Sequence, residues 1–102
     1  MAQDTVSASA DASTNLVISR LRQRLPVAAL GVRCSRTPEV ARLAKASGHH
    51  SIWVDLEHSA IAIDAATQIC AAALDLGLMP FVRVPEREYG VIGRLLDGDE
   101  AR

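Results

Sequence analysis

Three short apolar runs recur along this chain, each followed by a stretch of helical spacing: Val27 to Val32 (VAALGV), Ser51 to Val54 (SIWV) and Met79 to Val84 (MPFVRV). The first shows no polar alternation and reads as a strand buried on both faces, and the other two read as further strands. The links between them are long enough to hold a helix and far longer than a hairpin turn. They therefore predict parallel strands joined by right-handed crossovers, in units of about 27 residues. Two architectures share that order, a doubly wound sheet and the first part of a (β/α)₈ barrel, and periodicity does not choose between them. Dinucleotide binding is disfavoured, because the first strand is followed by Cys34-Ser35-Arg36-Thr37 where a glycine-rich turn would be needed.

The intervening segments carry helix punctuation. Thr37 is expected to cap a helix with Pro38 and Glu39 in its first turn. Val40, Leu43, Ala44 and Ser47 would then form one face, and Gly48 would end the helix in a left-handed cap. Asp64 is expected to cap the next helix, whose face of Ile69, Ala72, Ala73 and Leu76 ends at Gly77. Tyr89, Ile92, Leu95 and Leu96 suggest a last helix weakened by Gly90 and Gly93. Ahead of the first strand, Leu16, Val17, Leu21 and Leu25 predict a short amphipathic helix stopped by Pro26. Residues 1–13 are small and polar and are expected to form a disordered tail, leaving one domain over residues 14–102.

At 102 residues the chain has room for one core, and with 3% aromatic residues that core must be aliphatic and alanine-rich. A formal net charge of -1 with interspersed signs favours neither nucleic acid nor a membrane as partner. Cys34 and Cys70 have neither metal-ligand spacing nor the density of a disulfide framework. With no secretory signal in its first residues, a cytoplasmic location is expected.

Chemistry concentrates where the strands end. Trp53-Val54-Asp55-Leu56-Glu57-His58 brings three ionisable groups to the end of an apolar strand, where parallel α/β folds bind ligands. A hydrogen bond from the His58 ring to Asp55 would fix the tautomer and leave the other nitrogen as a base. A solvated loop is the competing reading. Arg83 ends the third run and needs an anion beside it: a ligand carboxylate, bound in bidentate fashion, or a structural salt bridge to Asp55 or Glu57. His49 and His50 read as loop residues.

These segments resemble a known family. Ile52-Trp53-Val54-Asp55-Leu56-Glu57-His58, Pro80-Phe81-Val82-Arg83-Val84-Pro85 and Leu95-Leu96-Asp97 are similar, in order and spacing, to segments of the HpcH/HpaI aldolase and citrate lyase family. The likeness runs from about Leu16 to Asp97. It implies an α/β fold, namely the N-terminal part of a (β/α)₈ TIM barrel, with one helix and three βα units and the barrel incomplete.

The resemblance also implies a carbon–carbon lyase, a class II aldolase performing metal-dependent retro-aldol cleavage of a 4-hydroxy-2-oxo acid to pyruvate and an aldehyde. Asp55 and His58 would form the proton-moving dyad, and Arg83 would bind the pyruvate moiety and stabilise its enolate. Glu57 and Asp97 would support them from behind. The cofactor would be magnesium, manganese or cobalt, with no metal ligand in this chain, since the family's metal-binding carboxylates lie on later strands. The tail from Gly98 departs from the family pattern, so a truncated member with little activity alone is expected. The partners would be a small 2-oxo acid and further copies in a homo-oligomer. The alternative is a non-catalytic partial barrel that oligomerises or docks on a complete homologue.

Overall fold

The computed structural model describes residues 15–85 and 88–100, with side chains described as far as residue 98. The expected tail over residues 1–13 lies outside them. Helix α1 (Leu16–Arg22) leads into β1 (Ala29–Val32), α2 (Glu39–Ala46), β2 (Ser51–Asp55), α3 (Ile63–Asp75), β3 (Met79–Arg83) and α4 (Tyr89–Glu100). The strands form one parallel sheet in the order β1-β2-β3. Helix α3 packs between α2 and α4, and both α2 and α3 rest on β2. This arrangement is common to half of a doubly wound sheet and to three units of a barrel.

Three helices stop in the same way. In α1, α2 and α3 the residue after the C-cap is left-handed: Arg24 (φ 59), Gly48 (φ 84) and Gly77 (φ 82). In each, the following N–H reaches back to close the turn, from Leu25 to Arg20, from His49 to Ala44 and from Leu78 to Ala73, at 2.8–3.0 Å. These are Schellman ends, and they turn the chain straight towards the next strand. Gly48 and Gly77 match expectation, but α1 stops short of Leu25 because Arg24 supplies the break ahead of Pro26. The helix starts also shift. Pro38 occupies the N-cap of α2 without a side-chain cap, and Thr37 contributes only its carbonyl, to Val40 N–H. Helix α3 begins after Ala62, earlier than Asp64, since buried Ile61 and partly buried Ile63 pack on the core. Asp64 instead accepts from Ala65 N–H at 2.8 Å.

The core lies between the sheet and the helices. Val32, Ile52 and Val54 meet Val40, Ala41 and Ala44 of α2, Ala66, Ile69, Cys70 and Ala73 of α3, and Leu95 of α4. Small alanines let the helices sit close to the strands. Leu43, expected on the buried face of α2, is exposed, and Ala41 takes its place. Strand β1 also departs from the expectation of burial on both faces. Ala29 and Gly31 of β1 and Phe81 of β3 are exposed, because the described helices cover only the opposite face. No helix among the described residues is long and apolar enough to cross a membrane.

Candidate active site

On the face away from the helices, alternation and register stack the side chains into rows. Gly31, Trp53 and Phe81 are lateral partners, and Asp55 pairs with Arg83 one row further on. Val32 pairs with Val54, so the next residue, Arg33, arrives beside Asp55. The top row therefore reads Arg33, Asp55, Arg83 across three strand ends. In the row beneath, Gly31 faces the Trp53 ring, and an added Cβ there would stand at ordinary contact distance, 3.4 Å from Cε3. The Trp53 ring in turn supports the Arg83 guanidinium, whose Cζ lies 4.9 Å from the ring centroid, within cation–π range.

Asp55 is fully buried and surrounded by donors. Its Oδ1 accepts from the backbone N–H groups of Glu57 (2.9 Å) and His58 (3.0 Å) and from Arg83 Nε (3.3 Å). Its Oδ2 accepts from Arg83 Nη2 at 2.9 Å, with Arg33 Nε at 3.4 Å. The Arg83 side-chain bond, followed by the two backbone amides, holds the Asp55 carboxyl far below the usual carboxylate range against the opposing effect of burial. Reciprocally, the hydrogen bond to Asp55 raises the pKa of Arg83. A charge removed from water stays ionised here because four hydrogen bonds and the Arg33 ion pair converge on it.

The structure thus brings Asp55, Glu57, His58 and Arg83 together, in an arrangement that differs from the expected dyad. It is the backbone amide of His58, and not its ring, that bonds to Asp55. The imidazole turns outward, 59% exposed, with Nε2 3.7 Å from Glu57 Oε1. The local reason is the tight turn after β2: the Asp55 side chain closes onto the two following amides, and Ser59 Oγ donates to the Asp55 carbonyl. Arg83 makes the ion pairs weighed as its structural reading, to Asp55 and to Glu57 Oε1 at 3.6 Å. Its side chain nonetheless remains 38% exposed. Asp97 lies exposed on α4, and no hydrogen bond or ion pair among the described residues joins it to this cluster.

Arg33 was not singled out from sequence. Its signal was the one that drew attention to Arg83, a guanidinium at the end of an apolar run. Besides Asp55 it reaches the His58 carbonyl through Nη2 at 3.1 Å, clamping the β2–α3 loop. His49 and His50 lie before β2 in a loop, as expected. His50 Nδ1 accepts from Ala28 N–H at 3.0 Å, and its pKa is lowered by desolvation and then by Arg20 and His49. Among the described residues, no group of three His, Cys, Asp or Glu side chains could hold a metal ion.

No family model matches the chain. It is 44% identical over 71 residues to a 4-hydroxy-4-methyl-2-oxoglutarate aldolase of Hapsidospora irregularis, covering 69% of this chain and 26% of that protein. It is also 38% identical over 88 residues to the enzyme of the same name from Chaetomium globosum, covering 85% of this chain and 33% of that one. Among solved structures it resembles an HpcH/HpaI aldolase from Desulfitobacterium hafniense, with a TM-score of 0.73 and 23% identity over 81% of this chain and 32% of the other. These likenesses support the HpcH/HpaI aldolase family, at partial coverage. The chain spans about a quarter to a third of the curated relatives it matches. The likeness in fold resolves the ambiguity left by strand order in favour of the aldolase-type α/β arrangement.

Proposed function

We propose that this chain forms part of a carbon–carbon lyase that cleaves a 4-hydroxy-2-oxo acid by retro-aldol chemistry and releases pyruvate. The observation carrying this reading is a half-exposed guanidinium, Arg83, fixed at a strand end by a buried carboxylate and an aromatic face. Its remaining N–H groups suit a planar substrate carboxylate and the oxyanion that develops when the C3–C4 bond breaks. His58 would take the proton of the 4-hydroxyl group, with Glu57 orienting its ring. Bond cleavage sends the electron pair into the C2 ketone as an enolate, and a proton returned to C3 completes pyruvate. From 4-hydroxy-4-methyl-2-oxoglutarate, the substrate named for the relatives, the second product would itself be pyruvate, a ketone in place of an aldehyde.

In this reading the three strands are the first of a (β/α)₈ barrel, completed by elements outside the described residues or by further copies in a homo-oligomer. The divalent metal implied by the resemblance does not fit the described residues by themselves, and no step is assigned to it. The test is pyruvate release from 4-hydroxy-2-oxo acids with magnesium, manganese or cobalt added. Weak turnover is expected from the 102-residue chain, because its site is open to water, which screens the charges. Joining the later strands of a relative to this chain should raise turnover, and His58→Ala or Arg83→Ala should then remove it. A completed barrel without metal-dependent pyruvate release would sink the proposal.

A second reading, a non-catalytic partial barrel that oligomerises or docks on a homologue, is favoured by the exposure of Phe81 and Leu96. Light scattering distinguishes it: assembly without 2-oxo acid binding supports docking, and a monomer that binds no 2-oxo acid opposes both readings.

A further inference from the structure

Arg83 is matched twice over, by Asp55 in bidentate fashion and by Glu57. Arg33 is a second cation on a carboxylate that Arg83 has already neutralised. Its Nε contact with Asp55 Oδ2 is the longer one, at 3.4 Å, and its side chain is 58% exposed at the mouth of the strand ends. Its Nη2 donates to the His58 carbonyl, so the guanidinium is positioned while more than half of the side chain stays exposed. Arg33 and Arg83 stand at the ends of β1 and β3, flanking β2. With strands about 4.8 Å apart, two guanidiniums that lean inward on one buried carboxylate suit the two ends of a short dicarboxylate. Among the described residues, the negative groups in contact with these arginines are Asp55, which is fully engaged, and Glu57, which lies against Arg83 and His58.

We infer that Arg33 binds the distal carboxylate of a dicarboxylic 2-oxo acid while Arg83 binds the 2-oxo acid end, so that Arg33 selects dicarboxylic over monocarboxylic substrates. The inference rests on the reading of the strand-end cluster as a 2-oxo acid site. It agrees with the dicarboxylic substrate in the names of both curated relatives. Asp55 then acts as a positioning residue for both arginines, which explains a carboxylate that accepts four hydrogen bonds and a further ion pair and yet has no exposed surface. A charge-assisted contact at this degree of exposure should favour the dicarboxylate by about tenfold.

The experiment titrates the 102-residue chain with 2-oxoglutarate and with 2-oxopentanoate, which has the same carbon count but lacks the second carboxylate. Calorimetry gives the affinities, and the single tryptophan, Trp53 beneath Arg83, gives an optical signal. The variants are Arg33→Met and Arg33→Gln, the latter keeping an N–H donor for the His58 carbonyl. The expected result is that both variants lower 2-oxoglutarate affinity to that of 2-oxopentanoate, with 2-oxopentanoate affinity changed by less than about twofold. Arg83→Met should abolish binding of both acids. If Arg33→Gln weakens both acids equally, or if the unsubstituted chain does not prefer the dicarboxylate, the assignment of Arg33 is wrong while the 2-oxo acid site stands. If the unsubstituted chain binds neither acid, the 2-oxo acid reading falls and takes this inference with it.

Discussion

The Asp55 carboxylate and the Arg83 guanidinium are lateral neighbours in the β2–β3 ladder and meet through two parallel hydrogen bonds, Nε to Oδ1 at 3.3 Å and Nη2 to Oδ2 at 2.9 Å. Because Asp55 is buried and Arg83 half-exposed, the pair carries its positive end to the mouth of the site.

This pair sets the response to acid. A depressed carboxyl pKa means that, between the folded value and the unfolded value of about 3.9, the unfolded chain binds more protons than the folded one. The stability from Asp55 is therefore complete above about pH 5 and is lost as pH falls from about 4 towards the folded value. Urea denaturation across that range should show a falling midpoint for the native chain. Asp55→Asn should be less stable at neutral pH and lack this part of the acid slope. An identical slope in the variant would show that Asp55 is not ionised by its neighbours.

His58 should matter for turnover and little for folding. Its ring is 59% exposed, so His58→Ala should change unfolding free energy by less than about 0.5 kcal/mol. In a barrel-completed enzyme the same substitution should lower kcat by about 10²–10⁴-fold if the ring moves a proton. Comparing denaturation curves with turnover rates separates the two effects, and an unchanged kcat would remove His58 from the chemistry.

Helix-face burial predicts a contrast between two aliphatic residues. Ile69 of α3 is fully buried against the sheet, whereas Leu43 of α2 is mostly exposed. Ile69→Ala should cost about 2–5 kcal/mol through lost contacts and a residual cavity. Leu43→Ala should stay within about 0.5 kcal/mol. Urea midpoints of the two variants check this, provided the chain is a monomer or both are measured at equal concentration.

The three Schellman ends predict opposite effects for two substitutions at equivalent positions. Gly48 has open space around its Cα, with nothing within 4 Å of an added Cβ, but its φ of 84° makes Gly48→Ala unfavourable by about 1 kcal/mol. Arg24 occupies the same place after α1 at φ 59°, where glycine would relieve the Cβ conflict. Arg24→Gly should therefore stabilise the chain by up to about 1 kcal/mol. Thermal denaturation of both variants tests the pair, and a stabilising Gly48→Ala would contradict the geometry.

Local sequence carried the features that depend on local causes. Apolar runs at 27–32, 51–54 and 79–84 placed the three strands to within a few residues, because a strand buried on its helix side needs Val32, Ile52, Val54 and Val82 wherever the rest of the chain goes. Gly48 and Gly77 marked helix ends because a left-handed residue is a backbone requirement met within one turn. Charged groups at the ends of apolar runs pointed to Asp55, His58 and Arg83, since such groups must find partners on reaching a parallel strand end. Tertiary structure decided what depends on residues distant in sequence. Arg33 joins Asp55 only because β1 lies beside β2, and the row spans the sheet through lateral register, which periodicity does not encode. Which stripe of α2 is buried depended on how near the sheet and α3 approach, so Ala41 is inside and Leu43 outside. The direction of the His58 ring followed from competition for one carboxylate. Two arginines and two backbone amides satisfy Asp55 more fully than an imidazole would, and that balance of donors exists only once three strand ends are side by side.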